Sequence, residues 1–174
     1  MKLRAATELD LQEILDIYNH AVLNTTATYD YEPRTMQHRQ EWYREHLRTG
    51  FPVLVVEEER GGVLGWASLS AYHLRPGYRF TCENSIYVHH EHRGKGIGKL
   101  LLNALIAEAK RLKQHAIIAA IDAQNAVSIH LHATHGFEKV GQFKEIGFKF
   151  NRWLDVTYME LLLPHGKSEG THHP

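Results

Sequence analysis

The 174 residues suffice for one domain with a sizeable core and are few for two. With 20 basic against 20 acidic residues the formal net charge is zero, which argues against bulk electrostatic binding to nucleic acid or to an anionic membrane. The single cysteine, Cys82, excludes an intrachain disulfide, no apolar run approaches the roughly 20 residues that span a bilayer, and MKLRAATELD has no signal-peptide core, so a reducing cytoplasm is expected.

Thr7 followed by Asp10 marks a helix start, after which Leu11, Ile14, Leu15, Tyr18 and Val22 recur at helical spacing. A more polar helix is expected from about Met36 to Arg48. PVLVVEEE and VLGWASLSAY then read as strands joined by the hairpin signal Arg60-Gly61-Gly62, and CENSIYVHH as a third. Ile97, Leu101, Leu105 and Leu112 line one face of a helix running to about Lys113. AIIAAI is a fully apolar strand, and a short helix from Asn125 to about His135 ends at Gly136. FEKVGQF and WLDVTYMELLL close the chain as strands. The order is β, α, α, β, β, β, α, β, α, β, β, a mixed α/β domain over residues 1–163, with 164–174 (PHGKSEGTHHP) as a flexible tail.

The glycine-rich HRGKGIGKLL, residues 92–101, separates the third strand from the amphipathic helix. A P-loop needs four residues between its first glycine and Gly-Lys-Ser/Thr. Gly94 precedes Gly98-Lys99 by three, and Leu100 stands where the magnesium-binding hydroxyl belongs. A dinucleotide fingerprint fails at its third glycine, where Lys99 stands. Arg93, Gly96 and Gly98 instead meet Arg/Gln-x-x-Gly-x-Gly/Ala between a strand and a helix. That context turns the N–H groups of Gly94, Lys95, Gly96, Ile97, Gly98 and Lys99 toward one point at a helix N-terminus, suited to a pyrophosphate.

IYVHHEHRGKGIGKLLL, residues 86–102, resembles the acetyl-coenzyme A motif of the GNAT superfamily of N-acetyltransferases. The resemblance implies the GNAT (acyl-CoA N-acyltransferase) fold, an α/β fold whose mixed, mostly antiparallel sheet has splayed parallel strands and flanking helices. It also implies acetyl-CoA as co-substrate, with its pantetheine arm against Ile86, Tyr87 and Val88, beside AIIAAI. A second superfamily signature, Asn-x-x-Ala/Ser-x-x-x-Tyr-x-x-x-Gly-Phe, is met by Asn125, Ser128, Gly136 and Phe137, with His132 in place of tyrosine. Asn125, Ser128 and His132 share a helix face, which places Asn125 and Ser128 at the cofactor and His132 near its sulfur.

Acetyl transfer to an amine needs a base for the ammonium, donors for the oxyanion and a proton for the thiolate. Glu83, three residues before the cofactor-pairing segment, is the candidate base; the Val88 N–H is the candidate oxyanion donor and His132 the candidate acid. Cys82 and Glu83 are strand neighbours facing opposite sides, so direct transfer in a ternary complex is preferred over an acetyl-cysteine.

Over residues 2–163 the chain is similar to the phosphinothricin and methionine sulfoximine N-acetyltransferases, in ILDIYNHAVLNTTATYD, in ENSIYV and in GFKFNRWLDVTYMEL. Histidine is usual at the His132 position in that group. The resemblance implies transfer to the α-amino group of a small amino-acid analogue (phosphinothricin, methionine sulfoximine or methionine sulfone). It also implies substrate contacts from Arg75, Pro76, Gly77 and Tyr78 and from Glu83, Asn84 and Ser85, and a homodimer. Arg79, Trp153 and the Lys149–Asn151 turn are further expected lining.

Other functions compete. The 14 histidines raise a metal, but no Cys/His spacing matches a structural zinc site, and none is expected. A non-catalytic acetyl-CoA sensor would lack a base, whereas Glu83 is present. A polyamine acceptor would favour carboxylates where HLRPGYRF carries two arginines; a protein N-terminus remains an alternative acceptor. No basic–aromatic stripe supports nucleic acid.

Overall fold

The computed structural model describes residues 1–59 and 61–164; Arg60 of the expected hairpin and residues 165–174 of the expected tail lie outside the described residues. β1 (Lys2–Ala5) leads through a 3-10 turn into α1 (Leu11–Asn24), and α2 (Met36–Thr49) follows. β2 (Val53–Glu57), β3 (Val63–Ala71) and β4 (Thr81–Val88) precede α3 (Ile97–Arg111), β5 (Ala116–Asp122), α4 (Ala126–Ala133), β6 (Glu138–Lys149) and β7 (Arg152–Leu162). The element order is the one expected from periodicity.

Local chemistry sets the boundaries. The Thr7 N–H and hydroxyl both donate to Asp10 Oδ2, at 2.7 and 3.0 Å, fixing the approach to α1. The Thr35 hydroxyl caps α2 by accepting from the His38 N–H at 3.2 Å, and Gly50, at φ 75°, closes it in the left-handed conformation. β6 runs past the expected FEKVGQF to Lys149, because an irregularity between Phe143 and Gly147 absorbs the extra residues. There Glu145 takes φ 53° and its N–H donates to Asp155 at 2.8 Å.

The seven strands form one sheet in the order β1-β2-β3-β4-β5-β7-β6, and every pairing is antiparallel except β4–β5. α3 covers one face: Ile97, Leu101, Leu102 and Leu105 are buried against Leu54, Val56, Ala67, Leu69 and Cys82. Each such side chain contributes about 1.5–3 kcal/mol of burial. α1 and α2 cover the other face, packing Ile14, Ile17 and Tyr43 on Val53, Val55 and Trp66. Strand alternation therefore sends Cys82, Asn84, Ile86 and Val88 toward α3, and Glu83, Ser85 and Tyr87 toward α1 and α2.

Candidate active site

β4 and β5 pair only at Thr81–Ala116, Cys82–Ile117 and Glu83–Ile118. Beyond Glu83 the two strands part, β4 continuing with β3 to Val88 and β5 continuing with β7 to Asp122. Hydrogen bonds at both ends of the β3–β4 ladder, Tyr72 N to Thr81 O (3.2 Å) and His89 N to Leu64 O (2.9 Å), fix which residues bond across it. By antiparallel alternation Glu83, Ser85 and Tyr87 bond β3, while the backbone groups of Asn84, Ile86 and Val88 point toward β5, into the gap. Of the expected trio, Ile86 and Val88 thus present backbone groups to a ligand there; Tyr87 presents its ring to the opposite helices.

The gap runs toward the glycine loop. Gly94 and Gly96 adopt φ 76° and 80°, and a Cβ on either would meet nothing within 4 Å, so backbone conformation and open space account for both glycines. Gly98 serves packing: its Cβ would come 3.3 Å from Leu131 of α4. Gly96 is the N-cap of α3, and the first intrahelical bond runs from Leu100 N to Gly96 O. The N–H groups of Ile97, Gly98 and Lys99 therefore precede the ladder and face outward with the positive end of the helix dipole. Arg93, Lys95 and Lys99 are exposed around them. A groove of about 720 Å³ continues from Lys99 between α3 and α4, past Asn103, His130 and His135. This groove lies at the loop end of the site, and Glu83 is not among its lining residues.

On the α4 side the structure brings three expected residues together. Asn125 Oδ1 accepts from the Ser128 N–H at 3.1 Å as the N-cap of α4. His132, 3% exposed, donates from Nδ1 to the Ser128 carbonyl at 2.8 Å, which leaves Nε2 to accept from Asn84 Nδ2 at 2.9 Å. Burial lowers its pKa, so the ring is neutral near pH 7 with its Nε2 lone pair occupied. The expected proton donor to the thiolate is, in this arrangement, a clamp on β4 at the residue where the strands part.

Glu83 lies on the opposite side, half-buried, and accepts no hydrogen bond among the described residues. Desolvation raises its pKa from the ordinary carboxylate value, the direction that makes it a stronger base. Periodicity gave no hint of Tyr158, on β7 opposite Ala120, whose phenol is close enough for the Glu83 charge to help raise its pKa after burial. Only the cross-strand register reveals that proximity. Cys82 is fully buried, its thiol turned to the Ala116 carbonyl at 3.7 Å and pushed up to about 12 by burial, which removes it as a nucleophile.

The remaining expected residues spread out. Arg75, Pro76, Gly77 and Tyr78 form an exposed 3-10 turn between β3 and β4, with Tyr78 edge-on to Tyr72 and Arg79 over the Phe80 ring. Lys149 is buried and pins the α1–α2 connection by donating to Thr25 O (2.9 Å) and Thr28 O (2.7 Å), a structural use in place of the expected lining. Trp153 is 62% exposed beside Phe148. Among the described residues, His89, Glu91 and His92 bring potential metal-ligand atoms within 4.8 Å of one another. The Glu91 N–H already donates to His89 Nδ1, and the Lys95 ammonium lies 3.2 Å from His92 Nδ1, where it opposes a second cation.

Comparison with known proteins agrees with this geometry. Residues 3–158 match the family described as an acetyltransferase (GNAT) domain. The chain is 45% identical, over 94% of its length and 95% of the relative's, to the L-methionine sulfoximine/L-methionine sulfone acetyltransferase of Salmonella typhimurium. A solved phosphinothricin acetyltransferase from Sinorhizobium meliloti in complex with acetyl-CoA superposes at a TM-score of 0.93, with 40% identity over 98% of this chain and 95% of that one. A ribosomal-protein-alanine N-acetyltransferase from Brucella melitensis superposes at 0.92, with 45% identity over 94% and 100%. The chain belongs to the GNAT superfamily of acetyltransferases.

Proposed function

We propose that this acetyl-CoA-dependent N-acetyltransferase acts on the α-amino group of a small amino-acid analogue of the methionine sulfone, methionine sulfoximine or phosphinothricin type. The observation that carries the reading is the parting of β4 from β5 immediately after Glu83, next to an anion-binding helix terminus. The pyrophosphate rests on the N–H groups of Ile97, Gly98 and Lys99 with Arg93 and Lys95 beside it, and the pantetheine amides pair with Ile86 and Val88. Asn125 and Ser128 flank the arm from α4. Glu83 takes a proton from the acceptor ammonium, directly or through one water, and the neutral amine attacks the thioester carbonyl. The tetrahedral oxyanion is met by the Val88 N–H, and as the C–S bond breaks the proton still carried by the attacking nitrogen passes to the departing thiolate, leaving the neutral amide and the coenzyme thiol. His132 acts through Asn84, holding the edge of the gap. Arg75, Pro76, Gly77 and Tyr78, with Ser85, complete the acceptor side; Asn84, expected there too, turns its side chain to His132 on the opposite face and serves the site by holding the strand.

The working form is a cytoplasmic homodimer, as the family resemblance implies. Among the described residues no helix is long and apolar enough to cross a membrane. β6 is an edge strand carrying exposed Val140, Phe143, Ile146 and Phe148.

Thiol release from acetyl-CoA tests the substrate class, with methionine sulfone, methionine sulfoximine, phosphinothricin, ordinary amino acids, spermidine and N-terminal peptides as acceptors. Release confined to the tetrahedral-headed amino acids is expected. Release with peptides alone would transfer the protein to the protein-acetylating reading that the Brucella relative's name represents. Cofactor binding without turnover on any acceptor would make it a sensor.

A further inference from the structure

A cavity of about 210 Å³ on the α1/α2 face shares only Ser85 with the scheme above. Its floor is Trp66 and Ser68 of β3 with Ser85 and Tyr87 of β4. Ser68 lies directly across from Ser85, and Ser70 across from Glu83, so the floor begins one same-face step, about 7 Å, from the candidate base. Its far end, Tyr87, neighbours Val88, the candidate oxyanion donor.

Arg39 of α2 walls this cavity and is 3% exposed. Its guanidinium lies 4.7 Å from the Tyr18 ring centroid, 4.5 Å from Trp42 and 5.3 Å from Trp66, and its Nε has no hydrogen-bond partner. Trp66, 2% exposed, likewise leaves Nε1 without a partner. Burial lowers the Arg39 pKa to about 10, so the group remains a cation near neutrality. The acid at the cavity rim, Asp30, is already engaged, accepting from Arg34 through two bonds of 2.6 Å and from the Tyr18 hydroxyl at 2.6 Å. A buried cation held by ring faces without a carboxylate is costly, as is a buried indole N–H with nothing to donate to. Both residues line one cavity. Arg34 and Arg39 against Asp30 leave a single positive charge, and Ser68 and Ser85 add hydroxyls. Such a lining calls for a compact monoanion rich in acceptor atoms.

We propose that Arg39 and the Trp66 Nε1–H receive the α-carboxylate of the acceptor and thereby hold its α-amine, one carbon away, between Glu83 and the thioester. This rests on the amino-acid reading of the substrate above. It makes Arg39 the residue that separates free amino acids from peptide N-termini and polyamines, in which the carbon bearing the amine carries no carboxylate.

The test compares methionine sulfone with its carboxamide in thiol release, using wild type, Arg39→Met, Arg39→Lys and Trp66→Phe. Acetyl-CoA affinity, which belongs to the glycine loop, reports folding. Wild type is expected to favour the acid by about 100-fold in kcat/KM. Arg39→Met should bring that ratio close to one, mainly through KM for the acid; Arg39→Lys should keep a preference of about 10-fold, and Trp66→Phe should lose a few-fold. An acid preference that survives Arg39→Met at its wild-type size overturns the proposal, as does an equal fall for acid and amide.

Should Arg39→Met not fold, intrinsic tryptophan fluorescence of the wild type decides. A saturable change with methionine sulfone, absent with the carboxamide and abolished in Trp66→Phe, is expected; equal responses to both ligands overturn the proposal. That titration needs no turnover, so it fails or succeeds independently of the substrate class: turnover of peptides alone would sink the amino-acid reading and leave the carboxylate response to be read on its own.

Discussion

Glu83 and His132 stand on opposite faces of one strand and are tuned in different ways. Burial alone raises the Glu83 pKa, so the base is protonated and idle below that value and active above it. The acid limb of kcat/KM should accordingly lie above the ordinary carboxylate range. Glu83→Gln should lower kcat by about 10²–10⁴ and remove that limb, as a pH profile of thiol release would show. His132 is held neutral between Ser128 and Asn84, and its lone pair is already committed. His132→Gln, which can still accept from Asn84, should keep turnover within about 10-fold of wild type. His132→Leu leaves a buried amide unpaired and should cost about 1–3 kcal/mol of stability as well as more activity. A chemical denaturation series with matched assays separates the two substitutions. If His132→Gln were as inactive as His132→Leu, proton donation by the imidazole would return as the better account. Both residues were legible as candidates in the sequence. Their opposed environments were not, because the Asn84–His132 contact joins a strand to a helix three elements later.

At the element scale, the loop and its helix were readable because glycine conformation and helix polarity are local properties. The parting of β4 and β5 was not, since it is a place where register stops, and no side-chain pattern within AIIAAI or ENSIYV marks a stop. α2 misled in a different way. The residues it buries, Arg39, Tyr43 and His46, include two that periodicity counts as polar, so the helix read as a surface element although its inner face walls a cavity. Gly65 ties these pieces together. A Cβ there would come 3.0 Å from the Tyr87 carbonyl oxygen, 3.3 Å from Val88 Cα and 3.0 Å from Ile97. Gly65→Ala must therefore displace β4 at the gap and the first turn of α3 together. It should cost about 1–3 kcal/mol in stability and weaken acetyl-CoA binding, measurable by calorimetric titration. Unchanged cofactor affinity would show that the loop tolerates movement of β3.

For the molecule as a whole, the far end of the sheet carries the exposed apolar residues of β6 and the β6–β7 turn, from Val140 to Trp153. Phe143, 55% exposed, stands edge-on to Tyr158, which itself feels the charge of Glu83. If this face meets a second copy, Phe143→Lys should shift sedimentation velocity from dimer to monomer and also disturb turnover. A monomeric wild type would remove the dimer from the account.

Among the described residues, the three residue pairs between β4 and β5 are the only strand pairing between the β1–β4 half of the sheet and the β5–β7–β6 half. A pantetheine arm lying in the opening would extend that short seam in the manner of an eighth strand, so the co-substrate doubles as a keystone of the architecture. Each turnover then begins with the sheet being mended and ends with it reopened. Amide exchange at Ile86 and Val88 should slow when acetyl-CoA is bound and quicken again as the spent coenzyme departs.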